Sequence, residues 1–354
     1  MAKKKKDEIV DTTVQQEKTI IGIDCGTMNL VKAIKNQDEE VEISSIRNMY
    51  LPLDKSQLTM AELSNIDYVE SDGNIYIVGE DAYRFGNMFG QQVKRPMSKG
   101  LISANEVDGI DVLSSIIKQL IGTTYNGHVV YSIPSGSVDS DNNVLYHQNV
   151  FKRIFTQLGY TCEPFNEALA IIYSQCRESN YSGIAFSFGA GMLNCNISYR
   201  SVPIASFSVA RSGDWIDEQV AMSVGSIPNR VTKIKEKGTN LSDYQIGNKK
   251  ERRTREAIIY YYREVIRYGL DLVKKKLDET TGNIDLPDSM PLIVSGGTSL
   301  ATGFLDLVKE AIEEYDEFPI DISEIRMAGD PLSSVAEGLL IKGLMTQQKG
   351  NEND

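Results

Sequence analysis

Histidine is nearly missing from this chain. Its 354 residues include only His128 and His147, neither of them beside a cysteine cluster. A zinc site or a histidine-based catalytic triad is therefore not expected. The four cysteines, Cys25, Cys162, Cys176 and Cys195, show no paired spacing, and the N-terminus does not resemble a secretory signal, so a reducing cytoplasm is the expected setting. No apolar run approaches the roughly 20 residues that cross a bilayer, which leaves only peripheral membrane contact. The one candidate for that is MYLPL, residues 49–53, and a buried strand edge accounts for it better. A net charge of −12 argues against direct nucleic-acid binding, because phosphate repels a surface of that sign. Two stretches are locally basic: residues 3–6, read as a solvated tail, and KKERRTR at 249–255, read as a solvated helix start before a partner patch.

With 41% apolar residues over this length, the chain has material for two cores. A glycine hairpin occurs twice, as IGIDCGTMNL at 21–30 and as IAFSFGAGMLNCNI at 184–197. Each is an apolar strand, a tight turn and a second strand. Glycines in such turns let backbone N–H groups approach phosphate oxygens closely. Strands and helices alternate after each hairpin, so internal duplication is the economical reading. Strands are expected at TIIGI, LVKAI and EVEISSI, in a hairpin around Asp72-Gly73, at HVVYSIP and YTCEPF, and at LIVSGG. Helices are expected over 107–121, up to Gly159, from Glu167 to about Cys176, through most of 216–278, and from Phe304 to about Tyr315. Asp330-Pro331 reads as an N-cap and N1 pair opening a last helix that ends near Met345.

Each chemical motif has a plain alternative. Asp24, before Gly26, Thr27, Met28 and Asn29, suits metal-bound water and phosphate, or is a simple hairpin acid. Gly189, Ala190, Gly191 and Met192 admit the same two readings. Gly296, Gly297 and Thr298 lie between a buried strand and a helix, where a nucleoside can approach the backbone or the chain merely turns. Gly213-Asp214 is a nucleotide-facing turn or a loop. Glu167 orients water, or is an acid favoured by the helix dipole, and Lys235 reaches a ribose or is solvated.

The order of these five motifs resembles the actin, heat-shock chaperone and sugar kinase superfamily. IGIDCGTMN is similar to its first phosphate motif, YSIPSG to FNEALAIIYS to its first connecting segment, and FSFGAGMLN to its second phosphate motif. IVSGGTSLATGF is similar to its adenosine motif and DPLSSVAEGLLIKG to its second connecting segment. Within it, VGEDAYRF, KRPMSKGLI and GDWIDEQV most resemble the bacterial actins of the MreB and MamK type.

The resemblance implies an α/β actin-like fold of two duplicated domains, each a mixed sheet flanked by helices, with a nucleotide cleft between them. It implies a tail at 1–18, a first domain at 19–170 with a small subdomain near 47–96 and a closing helix at 331–346, a second domain at 171–330 with a small helical subdomain near 220–280, and a tail at 347–354. ATP or ADP with Mg²⁺ is the implied cofactor: Asp24 holds the metal through water, Glu167 orients the attacking water, and the glycine motifs with Lys235 surround the nucleotide. The implied activity is a filament-forming cytoplasmic, cytoskeletal ATPase whose partners are other copies of itself and an unidentified cargo or adaptor protein. Alternatives are a non-polymerising nucleotide-dependent switch or scaffold, and a chaperone-type ATPase without a substrate domain. The chain departs from the family at Ser187 and Met192, where Asp and Thr are usual, at Thr232, where an acid is usual, and at Ala168, where Pro follows the Glu. The missing carboxylate at position 187 implies weakened hydrolysis, since phosphoryl transfer is mostly positioning.

Overall fold

The computed structural model describes residues 18–54, 66, 68–123, 126–140, 144–243, 245, 247–280 and 286–351. The expected N-terminal tail lies outside these residues apart from Lys18, as do 352–354 of the expected C-terminal tail.

The chain opens with a meander of β1 (Thr19–Cys25), β2 (Asn29–Lys35) and β3 (Val41–Arg47). It leaves this sheet to build β4 (Tyr50–Leu53), β5 (Tyr68–Ser71) and β6 (Asn74–Val78), then α1 (Gly79–Phe89) and the short ribbon β7 (Met97–Ser98) and β8 (Leu101–Ile102). Asp72 and Gly73, at φ 50° and 75°, make the tight turn between β5 and β6, a backbone that a Gly at the second position accepts without strain. MYLPL falls largely on β4, where Tyr50 and Leu51 are buried. The chain returns through α2 (Gly109–Ile121) to β9 (Gly127–Ile133) and through α3 (Val144–Gln157) to β10 (Thr161–Asn166), giving the sheet order β10-β9-β1-β2-β3. The parallel pairs need these crossover helices, whereas β1 and β2 are antiparallel and need only the glycine turn.

After α4 (Glu167–Gln175) the plan repeats. Strands β11 (Gly183–Phe188), β12 (Leu193–Tyr199) and β13 (Val202–Val209) form the second meander. Three helices follow, α5 (Gly213–Val224), α6 (Pro228–Glu236) and the long α7 (Lys249–Thr280). Then come β14 (Ser289–Ser295), α8 (Phe304–Glu313), β15 (Asp321–Met327) and α9 (Ser334–Asn351). The second sheet, read β15-β14-β11-β12-β13, has the same neighbours and the same mix of parallel and antiparallel pairs as the first.

Helices α4 and α9 pack against each other and against strands of both sheets, so Val130, Ala170, Ala185, Ile293 and Leu339 share one core. The approach is close enough to demand missing side chains. A Cβ on Gly338 would lie 1.8 Å from the Ala170 carbonyl oxygen, and one on Gly22 would lie 2.2 Å from that of Ala336. The last helix departs from its expected limits: Pro331 and Leu332 lie in a turn, and α9 starts at Ser334. Asp330 spends its carboxylate on that turn, accepting from Leu332 N–H and the Ser333 hydroxyl. At the other end α9 continues through Asn351, and Gln347 donates to the Lys18 carbonyl.

Candidate functional site at the cleft between the two sheets

The first glycine turn connects β1 to β2, and the second connects β11 to β12, at corresponding places in the two sheets. They face each other. A Cβ on Gly191 would lie 2.6 Å from Thr27 Oγ1 and 2.5 Å from the Gly100 nitrogen, so only glycine lets the second turn meet the first turn and the β7–β8 ribbon.

One atom ties three of the sequence motifs together. The Gly189 carbonyl accepts from Gly213 N–H at 3.2 Å, from the Ser212 hydroxyl at 2.6 Å and from the Thr298 hydroxyl at 2.8 Å. Asp214 N–H donates to the next carbonyl, Ala190, at 2.7 Å. Gly213 opens α5 against this knot, where an added Cβ would meet Thr298 Oγ1 at 2.6 Å. Gly296 adopts φ 92° and passes so close to Phe188 that a Cβ would lie 2.4 Å from its carbonyl oxygen. The short 3₁₀ turn Gly297–Leu300 follows.

All sixteen residues named from the sequence line one cavity of about 570 Å³: Asp24, Gly26, Thr27, Met28, Asn29, Glu167, Gly189, Ala190, Gly191, Met192, Gly213, Asp214, Lys235, Gly296, Gly297 and Thr298. Residues up to 274 positions apart in sequence thus share one wall. A family model described as Volactin matches residues 20–343. The chain belongs to the Volactin family.

Known structures resemble this Volactin-family chain over nearly their whole length. A MamK double helical filament superposes with a TM-score of 0.68 at 14% identity, covering 91% of this chain and 97% of that one. MreB5 of Spiroplasma citri bound to ADP gives 0.65 at 16% identity, and the same protein bound to AMPPNP gives 0.67 at 15%, each covering 95% of this chain and 99% of the other. No curated protein matches the chain in sequence. The fold is actin-like, of the MamK and MreB kind.

Two of the expected site side chains have charged protein partners. The Asp214 carboxylate turns away from the glycine knot to Arg95, which holds both its oxygens at 2.8 and 3.2 Å. Lys235 Nζ lies 2.9 Å from Asp217 Oδ1 and donates to the Gly213 carbonyl at 2.8 Å. Thr232, on the same face of α6, donates to Asp217 Oδ2 at 2.8 Å. Burial raises the Asp217 carboxyl above its ordinary range, and the Lys235 charge opposes that. Asp217 was not singled out from the sequence, although it is the last residue of the GDWID segment. Leu332, Thr239 and Tyr262 also line the cavity, without a motif to announce them.

Asp24, near the end of β1, and Glu167, the first residue of α4, both line the cavity. Ser132, buried on β9, donates to Asp24 Oδ1 at 2.9 Å while accepting from Cys25 N–H at 2.8 Å. Glu167 opens α4 behind the N-cap Asn166, whose side chain accepts from Leu169 N–H. Glu167 Oε2 accepts from Asn194 Nδ2 at 3.0 Å. Burial pushes both carboxyls well above the usual carboxylate range; the Asp24 charge raises Glu167 further, and hydrogen bonds from Ser132, Ser187 and Asn194 oppose the shifts.

Proposed function

We propose that this chain binds ATP or ADP with Mg²⁺ in the cavity between its two sheets and assembles into filaments of itself, hydrolysing ATP slowly. The convergence of two glycine turns, the Gly213 turn and the Gly296–Thr298 turn on one cavity carries this reading. Backbone N–H groups of the two turns bind the phosphates, and the nucleoside lies against Gly296, Gly297 and Leu332. The likeness to a MamK filament and to nucleotide-bound MreB5 supports both parts.

The donor set suits magnesium. Mg²⁺ keeps several waters and is held by one or two carboxylates plus the phosphates of its substrate, and the cavity offers Asp24 beside the first turn and Glu167 at the start of α4. When bound, the ion neutralises charge on the transferring phosphoryl group. Ser132 fixes Asp24, and the Asn194 amide fixes Glu167. Ser187 brings a hydroxyl where relatives in the superfamily bring a second hairpin carboxylate, which supports slow turnover and long-lived filaments. We place the protein in the cytoplasm as a cytoskeletal polymer with an unidentified cargo or adaptor protein. No described helix is long and apolar enough to cross a membrane.

Sedimentation with MgATP, MgADP and no nucleotide tests the reading. Nucleotide-dependent pelleting is expected. Tight ATP binding with all protein left in the supernatant would favour the second reading, a non-polymerising switch or scaffold, to which Ser187 and the buried Met192 lend weight.

A further inference from the structure

The two glycine turns share a pattern of hydrogen bonding. In the first, the N–H groups of Gly26, Thr27 and Met28 have no acceptor among the described residues, and in the second the same holds for Ala190, Gly191 and Met192. All six residues line the cavity. Carbonyls of the same turns are tied to protein donors instead. Gly189 and Ala190 use the knot at Gly213, and the Met192 carbonyl accepts from Gly189 N–H at 3.0 Å. Three successive N–H groups make an anion site, provided that the neighbouring carbonyl dipoles are held elsewhere.

In the first turn a single residue holds them. Asn48 follows β3, where the chain leaves the first sheet for β4. Its backbone N–H donates to the Met28 carbonyl at 2.8 Å, and its Nδ2 donates to the Gly26 carbonyl at 3.0 Å. Both carbonyls that flank Thr27 are thereby engaged. Asn48 is 0% exposed, and its Oδ1 is buried with no hydrogen-bond partner among the described residues. Turning the amide over would set that oxygen against the Gly26 carbonyl, so the NH₂ must face the turn. A buried acceptor without a donor is costly, and a small apolar side chain would avoid that cost. What the amide gains in return is the Gly26 bond. The second turn has no equivalent asparagine, because Ser212, Gly213 and Thr298 serve it.

We infer that Asn48 is a positioning residue for nucleotide binding: it draws the Gly26 and Met28 carbonyls back, which leaves the N–H groups of Gly26, Thr27 and Met28 for the polyphosphate. No glycine motif marks it, since it lies 22 positions beyond Gly26. This inference rests on the nucleotide reading above and deepens it, by assigning part of the preference for phosphate over bare nucleoside to a residue outside the motifs.

Titration calorimetry with AMPPNP, ADP and adenosine, each in MgCl₂, tests it without turnover. Asn48→Ala is expected to lower affinity for AMPPNP and ADP about tenfold and affinity for adenosine less than about twofold, because adenosine brings no phosphate to the turn. Asn48→Asp keeps the shape but turns an acceptor toward Gly26, and it should lose at least as much. Asn36→Ala removes an asparagine that accepts from Asp38 and Glu40 N–H in the turn between β2 and β3, and it should leave all three affinities unchanged. In the native chain, amide exchange over residues 26–28 should slow with AMPPNP and not with adenosine, a readout that needs no variant. Unchanged AMPPNP affinity in Asn48→Ala, equal losses for AMPPNP and adenosine, or exchange over 26–28 that ignores AMPPNP overturns the inference. A merely structural Asn48 would produce the second of these. Failure of the native chain to bind any of the three ligands is a different result, and it overturns the nucleotide reading itself. Thermal melting identifies a variant that does not fold, and the native exchange comparison then decides.

Discussion

Arg95 holds Asp214 by two parallel hydrogen bonds, Nη1 to Oδ1 at 3.2 Å and Nη2 to Oδ2 at 2.8 Å. The pair joins the segment before β7 to the first turn of α5, whose Gly213 and Asp214 line the cavity. Tyr83, on α1, adds a second crossing bond to Glu236 on α6 at 3.2 Å. Opening the cleft must break both. A two-bond Arg–carboxylate fork that is about a quarter exposed contributes on the order of 1 kcal/mol. Arg95→Ala is expected to speed release of mant-ADP about fivefold in a stopped-flow chase, and added salt should speed release from the native chain. An unchanged release rate would show that the cleft opens without parting this pair.

His147 lies on α3 with its ring edge-on to Phe151, its Nδ1 accepting from Ile102 N–H at 3.3 Å and its Nε2 buried without a hydrogen-bond partner among the described residues. Burial pushes its pKa down to about 4, from an ordinary 6.5. A group whose folded pKa is lowered favours the fold while neutral. Its contribution is complete above pH 6.5 and is lost as pH falls toward 4. This amounts to roughly 3 kcal/mol. Denaturant melts from pH 7 to pH 4 should show that loss, and His147→Gln, which keeps an acceptor for Ile102, should remove most of it. Parallel pH profiles for the two proteins would contradict the assignment.

The Asp24 and Glu167 carboxyls act in the opposite sense. Their folded pKa values are raised, so the nucleotide-free fold gives up stability as pH rises from the ordinary carboxylate range through the raised values. Glu167→Gln should be more stable than the native chain above neutral pH, by a margin that shrinks as the solution is acidified. MgATP should narrow the same margin by supplying the missing cation. Equal melting temperatures at pH 8.5 would count against an uncompensated pair.

Gly338 allows α9 to lie directly on the backbone of α4. Its ideal Cβ position is 1.8 Å from the Ala170 oxygen, and the obstacle is backbone rather than a side chain that can swing away. Gly338→Ala should cost about 1–3 kcal/mol, read as a lower urea midpoint, even though alanine is the better helix former. A neutral effect would mean that the two helices can separate freely, and with them the two sheets.

The glycine turns, their order and the alternation of strands and helices were legible because each depends on local residue types. All sixteen residues chosen from those motifs share one cavity for the same reason. Arg95 and Asp214 are 119 positions apart, and nothing local marks either as the other's partner. Asp217 captures Lys235 through a contact between α5 and α6 that only their packing creates. The start of α9 was misplaced because Asp330 and Pro331 suit a helix N-terminus and a turn equally well. Here the neighbouring Pro331 carbonyl is committed to Gly296 N–H and the Ser295 hydroxyl, which holds the segment in a turn.

We propose a nucleotide-driven polymer whose hydrolysis is slowed by the lack of a second hairpin carboxylate, Ser187 standing in its place. Right-angle light scattering and phosphate release, followed together after adding MgATP to the native chain and to Ser187→Asp, test it most directly. Scattering is expected to rise at once while phosphate lags far behind it, and the lag to shorten in the variant, where a second carboxylate helps position the nucleophile. Flat scattering despite saturating ATP, or phosphate release that keeps pace with assembly in the native chain, would contradict it.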